Sequence, residues 1–302
     1  MAQSSDDEQQ LSFLRVHANR LEFKVATAGS GDPLVLCLHG FPESSLSWRH
    51  QIAPLAHAGY RVWAPDLRGY GGTTRPAGLD AYRLENLLDD VDALIDISKA
   101  RRVILVGHDW GGVIAWYYTM RRPEKLEALI VLNGPHPACF EREIRHWRQL
   151  RRSWYMAVFQ IPWLPEAVLA AGGAHLIGAI FERMRVSSEY LPNDLVRHYR
   201  QQACEPGALT AMLNYYRAAI RGGGAARQRT MGYPAIDLPT LVIWGLRDQA
   251  LAKQNLDGLD SFVTDLTVVT LEQAGHFVHH DEPRLVTAEI LGWLHRHQLR
   301  TS

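Results

Sequence analysis

Apolar runs recur along the chain and alternate with amphipathic stretches. Residues 34–38, 60–64, 103–106, 128–132, 240–244 and 266–270 are rich in apolar and β-branched side chains, which predicts strands. Two alternating segments, residues 13–18 and 21–27, flank Asn19 and Arg20 and predict a hairpin ahead of them. Residues 84–95 carry apolar side chains at intervals of three and four, as in a helix. The pattern predicts an α/β protein with a mostly parallel, twisted sheet flanked by helices.

The alternation is interrupted once, after the sixth predicted strand. Residues 136–231 contain no strand-like apolar run and are rich in arginine, aromatic residues and helix formers. We interpret them as a helical cap domain inserted over the carboxyl edge of the sheet, with residues 1–135 and 232–302 forming the core domain. Five arginines within residues 142–152 are expected to wind around one solvated helix, and the glycines of residues 221–225 to form a flexible exit from the cap.

Composition narrows the class of partner. The 302 residues include 32 basic and 32 acidic side chains, so no net charge draws the protein to nucleic acid, and a small neutral substrate suits it better. Three cysteines lack metal or redox spacing, and residues 1–10 lack the features of a signal peptide, so we expect a cytoplasmic protein. No run is expected to span a membrane. Monomer and dimer both remain open.

Residues 107–111, with the sequence GHDWG, follow a predicted strand and precede a predicted helix. Small residues two before and two after a central residue are typical of a nucleophile elbow, a tight turn that lifts the central side chain above the sheet. That residue is Asp109, where esterases and lipases carry serine. A carboxylate at this position directs the chemistry towards attack on a saturated carbon.

Two further groups follow in the order nucleophile, acid, histidine that an α/β-hydrolase requires. Asp248 follows the strand that ends at residue 244, and His276 follows the strand that ends near residue 270. Both therefore lie at the same sheet edge as Asp109, and the three together predict a catalytic triad. His39 and His108 are expected to make structural hydrogen bonds.

His279 and His280 are expected at the surface or in support of the site. No histidine or carboxylate shows metal-ligand spacing, so no metal is expected.

Four motifs carry a resemblance to a known family. They are HGFPES at residues 39–44, GHDWGG at 107–112, WGLRD at 244–248 and GHF at 275–277. In this order, and over nearly the whole chain, the sequence resembles the epoxide hydrolases of the α/β-hydrolase fold. The resemblance implies addition of water to an epoxide to give a vicinal diol, without a cofactor. It also implies Asp109 as nucleophile, Asp248 as the acid that orients the histidine, and His276 as base.

The resemblance extends to the groups around the nucleophile. Two cap tyrosines that hold the epoxide oxygen correspond to Tyr155 and Tyr216, with Tyr215 as the rival for the second. The backbone N–H groups of Phe41 and Trp110 are expected to form the oxyanion hole. The side chains expected to line the substrate pocket are those of Phe41, Pro42, Trp110, Trp154 and Phe159.

Two other functions remain open. Haloalkane dehalogenases resemble this site but usually carry asparagine where this chain has Phe41, which offers no side-chain donor to a halide. Fluoroacetate dehalogenases typically carry arginine where this chain has Trp110. A catalytically inactive, ligand-binding member of the fold would be expected to show a damaged triad or oxyanion loop, and neither is seen in the sequence.

Overall fold

The computed structural model describes residues 11–186 and 188–299. The polar amino terminus, residues 1–10, lies outside the described residues. The strands of the described chain are β1 (Ser12–Ala18), β2 (Leu21–Ala28), β3 (Leu34–Leu38), β4 (Arg61–Pro65), β5 (Val103–His108), β6 (Ala128–Leu132), β7 (Thr240–Gly245) and β8 (Leu266–Leu271). The helices are α1 (Arg49–His57), α2 (Leu84–Ser98), α3 (Trp110–Arg121), α4 (Pro137–Glu143), α5 (Trp147–Arg152), α6 (Trp154–Val158), α7 (Leu164–Met184), α8 (Asn193–Ala203), α9 (Ala208–Ile220), α10 (Gly224–Met231), α11 (Val278–Asp281) and α12 (Pro283–Arg296).

The strands form one sheet in the order β1-β2-β4-β3-β5-β6-β7-β8. β1 and β2 form the predicted antiparallel hairpin, in which Asn19 and Arg20 both adopt positive φ, and β2 pairs antiparallel with β4. All later pairings are parallel. The predicted fold class is therefore confirmed.

Both faces of the central strands are buried, which explains their continuous apolar sequence. Leu34 and Leu36 of β3 point into the core shared with α2, α3 and the cap, whereas Val35 and Cys37 point into the opposite core with α1 and α12. Because strand side chains alternate between faces, an apolar run of five residues supplies both layers.

Helices α4 to α10 occupy the chain between β6 and β7, so the helical cap does follow the sixth strand. Two local expectations within it were wrong. The arginines of residues 142–152 lie on α4, a turn and α5 rather than on one helix. Gly224 begins helix α10, so the glycines of residues 221–225 precede another helix instead of leading out of the cap.

The sequence pattern predicted no membrane-spanning run, but helix α7 meets the criteria of length and composition for one. By length and composition it is long and apolar enough to cross a membrane, and a third of its most apolar window is buried. Its backbone leaves helical geometry at residues 171–174, which divides it into two shorter helical pieces.

Candidate active site

Asp109 lies at a sharp turn between β5 and α3, with φ 50° and ψ −116°. The flanking glycines permit the turn because a Cβ on Gly107 would lie 2.3 Å from the carbonyl oxygen of Gly111, and one on Gly111 would lie 2.1 Å from the oxygen of Leu38. This is the geometry that the elbow motif predicted. The turn also places Asp109 at the amino terminus of α3, where the helix dipole favours a negative charge.

The two carboxylate oxygens of Asp109 have different surroundings. Oδ1 accepts a hydrogen bond from the backbone N–H of Phe41 at 2.8 Å, whereas Oδ2 lies 3.6 Å from Nε2 of His276. The loop of Phe41 reaches the elbow closely because Gly40 has no Cβ, which would lie 2.4 Å from Cβ of Asp109. One oxygen is thus already held where an oxyanion would form.

His276 and Asp248 form the remainder of the predicted triad. Nδ1 of His276 lies 2.9 Å from Oδ2 of Asp248. The other carboxylate oxygen of Asp248 accepts from the N–H groups of Ala250 and Leu251 at 2.7 and 2.9 Å. Gly245 lets the two loops meet, because a Cβ there would lie 2.1 Å from the oxygen of Gly275. The structure therefore brings together the three side chains that the sequence separates by 167 residues.

Charge sets the protonation of this pair. Burial favours the neutral form of His276, but the carboxylates of Asp248 and Asp109 outweigh burial and raise its pKa well above the ordinary value. Burial likewise opposes ionisation of Asp248, yet His276 and the donors around the carboxylate hold its pKa below the usual range. The resting site therefore favours an imidazolium between two carboxylates.

Sequence reasoning missed Asn133, which fixes Asp248. Its amide nitrogen donates to Oδ2 of Asp248 at 2.7 Å, and its amide oxygen accepts from the N–H of Gly245 at 2.9 Å. Asn133 follows β6 directly, at the same sheet edge where Asp109 follows β5. Its position could therefore have identified it.

A second buried network supports the loops from behind. Glu43 lies 2.8 Å from Nδ1 of His108 and 2.9 Å from Nε2 of His280. Nε2 of His108 donates to the carbonyl oxygen of His276 at 2.9 Å. Burial alone would raise the pKa of Glu43, but His108 and His279 hold it well below the ordinary value.

The structural hydrogen bonding expected of His108 is thus confirmed. It is also confirmed for His39, whose Nε2 accepts from the N–H of Leu67 at 2.9 Å. Of the two positions expected for His279 and His280, the surface is wrong and support of the site is correct. Both are fully buried, because α11 folds under the site and packs their rings beside Glu43. Carboxylate and imidazole atoms of Glu43, His108 and His279 do lie within 4.8 Å of one another, although the sequence showed no such spacing.

The cap places Tyr155 and Tyr216 in the same cavity as Asp109. Both line a cavity of about 300 Å³ together with Asp109 and Trp110. Their rings stand edge to face at 5.9 Å, and burial with the nearby charge of Asp109 raises the pKa of each phenol above its ordinary value. The rival Tyr215 instead donates its hydroxyl to the carbonyl of Arg68 at 2.8 Å.

The structure places the side chains expected at the pocket wall at different distances from the cavity. Trp110 lines the cavity, whereas Trp154 is 65% exposed on the outer side of α6, because its neighbour Tyr155 takes the inward face. Phe41 and Phe159 are buried and pack against the ring of Tyr216 at 5.6 and 5.1 Å, so they support the wall from behind. Pro42 is buried and is not among the described lining residues. Lining residues that the sequence did not single out are Val113, Tyr117, Phe140, Met156 and Ile220.

Comparison with known proteins identifies the family to which this fold and sequence belong. The family profile described as alpha/beta hydrolase fold matches residues 33–283, and the chain belongs to that family.

Among its relatives, the AB hydrolase superfamily protein YfhM of Bacillus subtilis is 37% identical over 92% of this chain and 96% of its own length. Epoxide hydrolase 4 of Homo sapiens is 34% identical over 93% of this chain and 78% of its own. A crystal structure of a Bacillus megaterium epoxide hydrolase in complex with an inhibitor superposes with a TM-score of 0.84, at 30% identity, over 93% of this chain and all of that one. The resemblance to epoxide hydrolases that the motifs indicated is confirmed.

Proposed function

We propose that this protein hydrolyses a small neutral epoxide to a vicinal diol through a covalent ester on Asp109, with no cofactor. The observation that carries the proposal is the carboxylate at the elbow, set between a histidine–aspartate pair and two cap phenols. The relatives named epoxide hydrolase support the same reaction.

In the first step, Oδ2 of Asp109 attacks a ring carbon. Oδ1 already accepts from the N–H of Phe41, so Oδ2 is the freer nucleophile. A carbon–oxygen bond to the carboxylate forms as the ring bond breaks, and the ring oxygen receives hydrogen bonds and a proton from Tyr155 and Tyr216. Their raised pKa keeps both phenols protonated at neutral pH. Ester formation removes the negative charge of Asp109, which is one cause of the raised phenol pKa, so the phenols become stronger proton donors when the ring oxygen needs a proton.

In the second step, water attacks the ester carbonyl. The negative charge develops on Oδ1, where the N–H of Phe41 and that of Trp110 form the oxyanion hole. A neutral His276 takes one proton from the water while Asp248 holds the imidazole. His276 is neutral at this step because the ester carries no charge, so one of the two carboxylates that raise its pKa is gone. The imidazolium of the resting site therefore releases its proton, which restores the phenol that protonated the ring oxygen. Collapse of the tetrahedral intermediate breaks the bond between Cγ and Oδ2 of Asp109. Oδ2 leaves in the diol with the second proton of the water, and Asp109 retains the oxygen of the water.

The surroundings of Asp109 favour an epoxide over a halide as substrate. Phe41 contributes its backbone N–H to the site while its ring packs under Tyr216. Two phenols suit an oxygen that leaves as an alkoxide, which needs a proton, whereas a halide needs none. The assembled triad likewise argues against an inactive ligand-binding protein.

A single turnover in oxygen-18 water, with enzyme in excess over a panel of aliphatic and styrene-type epoxides, tests the proposal. The first diol should be unlabelled and the label should appear in Asp109. The His276→Gln variant should accumulate the ester, and Asp109→Asn should form none. Label passing directly into the first diol would refute the covalent route. If wild type forms no diol from any epoxide but releases halide from haloalkanes, the protein is a dehalogenase instead.

A further inference from the structure

The cap exposes a large amount of aromatic and aliphatic side chain. Trp147, Trp154 and Trp163 are 73%, 65% and 83% exposed. Trp163 also adopts φ 60°, a backbone conformation that bulky residues rarely take. The same stretch exposes the side chains of Leu150, Ile161, Leu164, Val168 and Leu176. We call residues 145–176 the apolar cap surface. Tryptophan is normally buried for most of its area, so three exposed ones within 17 residues indicate a binding surface.

The charge of this segment is one-sided although the whole chain is neutral. Between residues 144 and 181 the single acidic residue is Glu166, which is bound to the buried guanidinium of Arg217 at 2.9 Å. Arg145, Arg148 and Arg151 are exposed on the same segment as the tryptophans. The apolar cap surface therefore combines exposed tryptophans with positive charge that lacks an acidic counterpart on its own segment.

The mouth of the cavity borders this surface. Ile220 lines the cavity and is nevertheless 46% exposed, which places it at an opening. Arg221, the next residue, donates to the carbonyl of Gln160 at 3.0 Å, and Arg217 donates to that of Ile161 at 2.9 Å. The opening at the end of α9 is therefore hydrogen-bonded to residues 160 and 161, in the middle of the apolar cap surface.

We propose that the apolar cap surface docks on an anionic lipid membrane, from which apolar substrates reach the cavity. Tryptophan and arginine are the residues that anchor proteins in the interfacial layer, where aromatic rings meet acyl chains and cations meet phosphates. A second copy of the chain fits less well, because both halves of a two-fold interface would then carry the same excess of positive charge. The docking is shallow, since α7 is broken at residues 171–174.

Vesicle co-sedimentation tests the proposal independently of the proposed reaction. We expect wild type to bind phosphatidylcholine vesicles that contain phosphatidylglycerol, to bind pure phosphatidylcholine far less, and to be released by salt. Trp147→Ser with Trp163→Ser should weaken binding by about tenfold for each ring withdrawn from lipid. Arg148→Gln with Arg151→Gln should remove the preference for the anionic lipid.

The matched control is Ile97→Ser with Leu285→Ser, which removes exposed aliphatic side chains from α2 and α12 and should bind vesicles like wild type. Circular dichroism of each variant checks folding. Absence of wild-type binding to anionic vesicles would overturn the proposal. A second outcome would also overturn it. If analytical ultracentrifugation shows that wild type is a dimer and that the tryptophan variant is a monomer with unchanged vesicle binding, the surface binds a second copy of the chain.

Discussion

The adjacent residues Tyr215 and Tyr216 are expected to differ sharply when each loses its hydroxyl. Both tyrosines line the cavity that contains Asp109, but the Tyr215 hydroxyl donates to the carbonyl of Arg68, whereas the ring of Tyr216 packs edge to face against that of Tyr155. Substitution by phenylalanine at both positions is thus a matched comparison of a structural hydrogen bond with a catalytic one.

The structure indicates the size of each effect. Tyr215→Phe leaves a buried carbonyl without this donor, which should lower the free energy of unfolding by about 1–3 kcal/mol and change ester formation little. Tyr216→Phe removes a donor to a developing alkoxide, and hydrogen bonds to charged groups contribute about 1.5–3 kcal/mol, so ester formation should slow by about 10- to 100-fold. Tyr155→Phe with Tyr216→Phe removes both donors and should slow it further.

Rapid-quench measurement of ester formation in the His276→Gln background separates this step from hydrolysis, and urea denaturation reports stability. Slower ester formation in Tyr215→Phe than in Tyr216→Phe would refute the assignment of the two rings.

Three further predictions follow from individual contacts. Because folding raises the pKa of His276, protonation of this residue stabilises the folded state fully below the ordinary imidazole pKa, and the stabilisation is lost as pH rises through the pKa of the folded state. In urea titrations, the free energy of unfolding of Asp109→Asn should fall less over this pH range than that of wild type. Asn133→Ala should leave the N–H of Gly245 without its acceptor, cost about 1–3 kcal/mol of unfolding free energy and slow ester hydrolysis more than ester formation in single-turnover assays. Gly292→Ala should stabilise α12 by about 0.5–1 kcal/mol, because its Cβ would meet only the flexible end of Arg296; a lower Tm would contradict this.

Local sequence was enough to predict the sheet and the order of the triad. Buried parallel strands are short apolar runs, and each is followed by a loop at the same sheet edge. The sequence therefore predicted that Asp109, Asp248 and His276 lie close together. Gly107 and Gly111 marked the turn because only small residues fit where the backbone folds back on itself.

The cap was less predictable because its helices are short and broken. A regular helical period over residues 142–152 suggested one helix, yet the chain turns between α4 and α5. Similarly, the sequence predicted both Trp154 and Tyr155 at the site, but only Tyr155 lines the cavity. Neighbouring helical residues point about 100° apart, and only packing decides which one faces inward.

The sequence by itself therefore determined the class of fold and the meeting of Asp109, Asp248 and His276 at one sheet edge, because these depend on local patterns and on the order of strands. Only the tertiary structure distinguished Tyr216 from Tyr215, brought Asn133 to Asp248 and buried His279 and His280 behind the site. Each of these depends on contacts between segments far apart in the chain, where direction and burial are set by packing against a partner that local sequence does not name.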